Sequence, residues 1–131
     1  NLYWNYFKLD SLKKMLFTDE EIDKCSLKKG DLLVCEGGDI GRAAIWNYDI
    51  LMCIQNHIHR LRAYSAVETK FYYCVLYLYK QLRIIGGKGI GIQGLSTKAL
   101  GRIIFPVPPL AEQKRIIEQI NVIFSKLKDE I

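Results

Sequence analysis

Two adjacent prolines, Pro108-Pro109, stand directly before a run of apolar residues at helical spacing, and together they divide this chain. Proline fixes φ and has no amide to donate, so an extended segment stops there and a helix can start. Beyond the corner, Ile116, Ile120, Ile123 and Leu127 recur at spacings of four, three and four. Ile117, Phe124 and Ile131 form an adjacent line at intervals of seven. The result is one broad apolar face with polar residues opposite. A lone helix of this length is marginal in water, so its face must be buried. Either it packs on its own domain, or it is the first part of a longer coiled-coil spacer. The pattern runs to the last residue, past the reach expected of a compact domain. It predicts that the half from about Asn121 packs on another helix.

Upstream of the corner the pattern is mixed. Asn1–Phe7 is aromatic-rich and reads as a strand or a packed loop. Thr18 with Glu21 three residues on is a capping-box pair that opens a short helix. Strands are expected over Asp31–Cys35, ended by Gly37-Gly38, and over Arg42–Trp46 and Ile50–Ile54 around an Asn47-Tyr48-Asp49 turn. Gln55–Leu61 alternates, with Asn56, Ile58 and Arg60 on one side and Gln55, His57, His59 and Leu61 on the other. Phe71, Tyr72, Val75, Leu78, Tyr79 and Leu82 set a helix with a buried stripe over Thr69–Arg83. A glycine-rich loop, Gly86–Gly94, precedes a short helix capped by Ser96. A strand is expected over Arg102–Val107, with Ile103, Phe105 and Val107 on one face. The fold class is therefore α+β. A small strand-rich domain with two or three packed helices spans 1–107, and a long spacer helix follows over 108–131.

The chain has 131 residues, enough for one hydrophobic core. No apolar run is long enough to span a bilayer, and no signal peptide opens the chain, so a cytoplasmic protein is expected. Cys25, Cys35, Cys53 and Cys74 form no Cys-x-x-Cys pair and read as buried free thiols of a reducing compartment. The net charge of +5 is unevenly spread. Between Ile50 and Ile104 eight Lys or Arg face Glu68 alone, whereas residues 1–49 sum to −2 and the tail from Phe105 to zero. Such a concentrated basic region is rewarded by a phosphate backbone through counterion release; a solvated basic face would look the same in composition.

Motifs narrow the chemistry. Gly89-Ile90-Gly91-Ile92-Gln93-Gly94 has the spelling of a dinucleotide fingerprint but lacks the βαβ context that a pyrophosphate site needs. It reads instead as a loop whose backbone can lie close to a flat or charged partner, or as a hairpin-type loop with no ligand. Within it Lys88 suits a phosphate and Gln93 an adenine edge. His57 and His59 share a strand face near Cys53, but no further ligand stands at a familiar metal spacing. Val107-Pro108-Pro109-Leu110 lacks the amide and the aromatic that an amino-methyltransferase motif uses on a flipped base. No Ser-His-Asp set or nucleophile elbow occurs, and acidic metal ligands for a nuclease are almost absent from this region.

Four segments carry a resemblance: Gly94-Leu95-Ser96-Thr97-Lys98-Ala99-Leu100 running into Phe105-Pro106-Val107-Pro108-Pro109-Leu110-Ala111-Glu112-Gln113; Leu27-Lys28-Lys29-Gly30-Asp31-Leu32-Leu33-Val34; Gly38-Asp39-Ile40-Gly41-Arg42-Ala43-Ala44-Ile45; and Ile54-Gln55-Asn56-His57-Ile58-His59-Arg60-Leu61-Arg62. In order and spacing they resemble a target recognition domain from the DNA-specificity subunit of type I restriction–modification systems. The chain lacks the opening Trp-x-x-Ile-Pro-Trp pattern and an initial Met, so the front of the domain is expected to be missing or divergent. The resemblance implies a module without catalysis that binds double-stranded DNA and directs methyltransferase subunits and a nuclease/translocase subunit. S-adenosylmethionine, ATP and magnesium would belong to those partners. The residues expected at the DNA are Arg42, Gln55, Asn56, His57, Arg60, Lys88, Gln93, Lys98 and Arg102, with Lys88 and Arg102 expected to add affinity for any sequence. Ile116, Ile120, Ile123 and Leu127 would pack the spacer helix. Two rival readings remain. One is an interaction domain that dimerises through its last helix; the other is a nuclease or nucleotide-dependent enzyme using the glycine loop.

Overall fold

The computed structural model of the chain describes residues 2–4, 6–10, 12, 14–55, 57–86 and 94–130. A hairpin of β1 (Leu2–Tyr3) and β2 (Tyr6–Phe7) opens the chain and is followed by α1 (Asp19–Cys25). Next come β3 (Leu32–Cys35), β4 (Ala43–Ile45), β5 (Ile58–Leu61), α2 (Thr69–Gln81), α3 (Thr97–Leu100) and α4 (Leu110–Asp129). The architecture is α+β, as the periodicities predict.

The organising element is β3. It lies between β4 and β5 in an all-antiparallel sheet of order β4-β3-β5, with Leu33 opposite both Ala44 and Arg60. All four of its residues are buried. Leu32 and Val34 pack on one face with Leu76 of α2, Ile85, Leu95 and Ile103. Leu33 and Cys35 pack on the other with Leu2, Leu27, Ala44 and Trp46. A strand covered on both faces must be apolar throughout, which is why Leu32-Leu33-Val34-Cys35 does not alternate. Each such aliphatic side chain contributes about 1.5–3 kcal/mol by leaving water. The aromatic N-terminus closes both covers: Phe7 meets the Trp46 ring edge-on at 5.1 Å, and Trp4 meets Tyr77 at 5.0 Å.

Local signals were mostly obeyed. The Thr18 hydroxyl accepts the Glu21 amide at 3.2 Å while the Glu21 carboxylate accepts the Thr18 amide at 2.8 Å, so the capping box starts α1. The Ser96 hydroxyl caps α3 through the Ala99 amide at 3.1 Å. Three expectations are corrected. Ile50–Ile54 is not a strand: it makes a single bridge, Ser26 to Cys53, and its backbone is satisfied by Leu27 N–H to the Met52 carbonyl and Ile54 N–H to the Cys25 carbonyl. Arg102–Val107 is not a strand either. It runs as irregular chain, burying Ile103, half-burying Phe105 and leaving Val107 exposed, with the Ile104 carbonyl accepting the Tyr79 hydroxyl at 2.6 Å. The third correction is the stripe on α2. Phe71, Val75 and Leu76 are buried, but Leu78 and Leu82 are half exposed. The helix is squeezed between two surfaces, so Leu76 faces the sheet while Phe71 and Val75 face Ile117 of α4. It also stops at Gln81, because Arg83 turns into the left-handed region at φ 57°.

The corner between Val107 and α4 is tied by one buried side chain. Gln113, 2% exposed, accepts the Glu68 amide at the start of α2 and donates to the Pro108 carbonyl, both at 2.9 Å. Its burial follows from two backbone groups, one donor and one acceptor, that its amide satisfies at once. Ile116 and Ile120 are half-buried on α2 beside Ile117, and Lys70 Nζ donates to Asn121 Oδ1 at 2.6 Å. From Asn121 to Glu130 every residue is exposed, with Ile123, Phe124 and Leu127 at 56%, 60% and 50%. No helix among the described residues is long and apolar enough to cross a membrane.

Candidate nucleic-acid interface

One edge of the sheet, at the C-terminal end of β3, holds Arg42, Gln55 and His57 of the expected residues. Past Cys35 the pairing continues by single bonds. Glu36 N–H donates to the His57 carbonyl at 2.8 Å, and Leu95 N–H donates to the Glu36 carbonyl at 2.7 Å. The His59 ring bonds the Leu95 carbonyl through Nε2. A tight turn over 36–41 folds back into β4, closed by Gly41 N–H to the Cys35 carbonyl at 3.0 Å. Lys80, at the end of α2, reaches this turn: its ammonium lies 2.9 Å from Asp39 Oδ1 and also donates to the Ile40 carbonyl.

The two stems of the glycine-rich loop are planted here. Ile85 is 1% exposed and Leu95 is fully buried, and both belong to the core beside Val34. Ile85 lies against Gly41, where a Cβ would stand 2.8 Å from its Cγ2 and φ is +81°. Only glycine fits, which gives the Ile-Gly-Arg turn a physical reason. Gly41→Ala is therefore expected to destabilise the chain by about 1–3 kcal/mol, through a clash that pushes the Ile85 stem and a strained φ. Gly37→Ala, where nothing lies within 4 Å, serves as the neutral control. Denaturant midpoints of the two variants check this; equal midpoints would show that the stem yields freely.

The residues expected at the DNA fall at several places. Gln55 and His57 are exposed at this edge. His57 adopts φ 78°, which delays β5 until Ile58 and turns its side chain out of the regular alternation. Together they line a cleft of about 500 Å³ with Phe17, Glu21, Lys24 and Cys25 of the α1 region. Arg42 is at the same edge but largely packed: its guanidinium covers the Tyr3 ring at 5.2 Å and lies 3.9 Å from Asp39. Its Nε is buried with no partner among the described residues. Lys98 and Arg102 are exposed on and just after α3, which follows Leu95 directly. Asn56, Lys88 and Gln93 lie outside the described residues; Gly86 and Gly94, which bracket the last two, are on this edge.

Arg60 stands apart. It pairs with Leu33 in mid-sheet, and its Nη1 donates to the Ser26 carbonyl at 2.5 Å. Its neighbour Arg62 forks onto the buried carboxylate of Asp31, with Nε and Nη2 at 2.7 and 2.6 Å. Asp31 Oδ2 also accepts the Lys28 amide at 2.7 Å. Burial raises the Asp31 carboxyl, but the Arg62 and Lys28 hydrogen bonds and the charges of Arg62 and Arg60 outweigh it and hold it below the usual value. The Lys-Gly-Asp and Arg-x-Arg segments thus form one clamp at the far end of the sheet.

Lys80, Asp39 and Glu36 are edge residues that the motif reading passes over. The clue available for Asp39 was its place between Gly38 and Ile40-Gly41, where a turn needs a side-chain anchor. Charge completes the geometry. Asp19, Glu20, Glu21 and Asp23 are all exposed on α1, whose Glu21 and Lys24 line the cleft, while Lys98 and Arg102 are exposed on and after α3. Among the described residues no group of three or more His, Cys, Asp or Glu could hold a metal ion.

No curated protein and no solved structure matches the chain. A family model does: the type I restriction modification DNA specificity domain matches residues 5–131. That match covers nearly the whole chain, including the clamp, the glycine turn, both loop stems and the proline corner, and the chain belongs to the family of type I restriction modification DNA specificity domains.

Proposed function

We propose that this chain is a sequence-reading DNA-binding module of a type I restriction–modification complex. It carries no catalysis of its own. It places methyltransferase subunits and a nuclease/translocase subunit on their target in the cytoplasm, and S-adenosylmethionine, ATP and magnesium are held by those partners. The observation that carries the reading is the convergence at one sheet edge of both glycine-loop stems, exposed Gln55 and His57, and the basic α3 flank. Lys98, Arg102 and Lys88 suit phosphates. Gln55, Asn56, His57 and Gln93 suit base edges, since amide side chains can pair bidentately with adenine. Arg42 supports the turn over 36–41, and Arg60 braces β5.

Fluorescence anisotropy on labelled duplexes over a range of salt tests this. Affinity should fall steeply with salt, and Lys98→Ala with Arg102→Ala should weaken binding to all sequences alike and shallow the log–log slope by roughly two. Gln55→Ala should cost about 1–3 kcal/mol on the preferred sequence and little on others. The chain alone should neither methylate nor cut DNA with magnesium, ATP or S-adenosylmethionine. Salt-indifferent binding, or turnover by the isolated chain, would overturn the reading. The exposed apolar residues of distal α4 favour a second role as an assembly surface, and salt-dependent DNA binding separates a reader that assembles from a pure interaction domain.

A further inference from the structure

The far end of the sheet, away from the recognition edge, holds a cavity of about 740 Å³. It opens between the Lys28–Asp31 turn, the end of β5 and the first turn of α2. Four cationic residues line it, Lys28, Lys29, Arg60 and Arg62, against the single carboxylate of Asp31. That carboxylate is already occupied. It is 2% exposed, and its oxygens are taken by the Arg62 fork and the Lys28 amide. Arg60 turns to the Ser26 carbonyl on the Leu33 face, where Arg62 Nη2 also lies at 3.4 Å, and Lys29 meets Asp49 only at 3.7 Å on the surface. The lining is therefore positive by three, four cations against one anion, with no uncommitted acid among the lining residues. The opposite wall is apolar and aromatic: Tyr72 and Phe105 present rings 6.0 Å apart at 65°, beside Leu32 and Leu61.

We propose that this cavity is a binding site for a nucleoside phosphate, with the anion on the lysine–arginine wall and the flat base against the aromatic wall. Its volume lies in the range of small-ligand sites, which pair an apolar lining with a few placed charges. Arginine guanidinium groups with unspent donors suit phosphate oxygens, and stacking on aromatic rings suits any base. A free nucleotide and a nucleotide unit of a DNA strand offer the same chemistry. The site does not depend on where the recognition edge binds DNA.

Isothermal titration calorimetry of the whole chain with adenosine monophosphate, inorganic phosphate and adenosine tests the site. Adenosine monophosphate should bind saturably, and each half alone about tenfold or more weakly. Two variants report on location without entering the core: Lys28→Ala with Lys29→Ala in an exposed turn, and Ala66→Trp, which fills the mouth from an exposed loop position. Each should lower the affinity about tenfold or more while the melting curve stays unchanged. Displacement by a short duplex, with the same variants weakening the duplex, assigns the site to DNA. Undiminished binding to the DNA-bound chain assigns it to a free nucleotide. Absence of saturable heat, or an affinity that neither variant changes, overturns the proposal.

Discussion

Asp31→Ala is expected to destabilise the chain by about 2–4 kcal/mol, a fall in melting temperature of roughly 10 °C. The carboxylate is buried, forks with Arg62 and caps the Lys28 amide, so its loss leaves a guanidinium and a backbone donor without their acceptor. The Arg62 side chain is 35% exposed and can recover some hydration, which places the effect below that of a fully buried pair. Asp31→Asn adds the acid dependence. In the folded chain the carboxyl titrates below its ordinary value of 3.8, so the unfolded chain takes up the proton first as pH falls. The contribution is complete above the ordinary value and is lost as pH drops from there through the lower folded one. Denaturant unfolding between pH 7 and pH 2 should show this acid loss in the parent and a smaller one in Asp31→Asn. Parallel pH curves would mean that Asp31 is not the linked group.

The distal half of α4 should govern association. Ile123→Asp with Leu127→Asp is expected to weaken self-association of the chain by about a hundredfold or more, since each buried charge would cost a few kcal/mol in an apolar seam. Folding should be unaffected, because both side chains are half exposed and touch none of the three core clusters. Ile117→Asp is the opposite case: Ile117 is 6% exposed between Phe71 and Val75, and a charge there should unfold the α2–α4 contact. Sedimentation velocity and circular dichroism together read both variants. A distal double variant that unfolds without changing the association state would place the distal helix in the domain core.

Much of this fold was legible in the sequence, for identifiable reasons. The capping box, the Ser96 cap and the proline corner are local devices, and each worked as its spacing predicts. The four-residue β3 and the short β4 were found from apolar runs beside glycines. Failures came where tertiary neighbours chose. Ile103 and Phe105 alternate like a strand, yet their segment packs on the core as irregular chain. On α2 the helical period was right, but it cannot say that a helix is pressed from two sides, so Leu76 was missed and Leu78 misassigned. The apolar period of α4 is continuous, and nothing in it marks Asn121 as the point where the domain ends its contact. Among the site residues, Gln55 and His57 emerge together at one edge. The commitment of Arg60 to the Ser26 carbonyl is a contact 34 residues away, which no local pattern encodes.

The position of β3 has a consequence for how the chain opens. Its amides bond to β4 and β5, and its side chains are covered above and below. No partial opening exposes it, because releasing either cover leaves the other in place. In deuterium exchange the β3 amides should therefore be the last to label, at a rate set by global unfolding. The Gly41, Glu36 and Leu95 amides, held by single bonds past the end of the strand, should exchange orders of magnitude sooner. The turn over 36–41 can thus open locally while the strand beneath it stays closed to solvent.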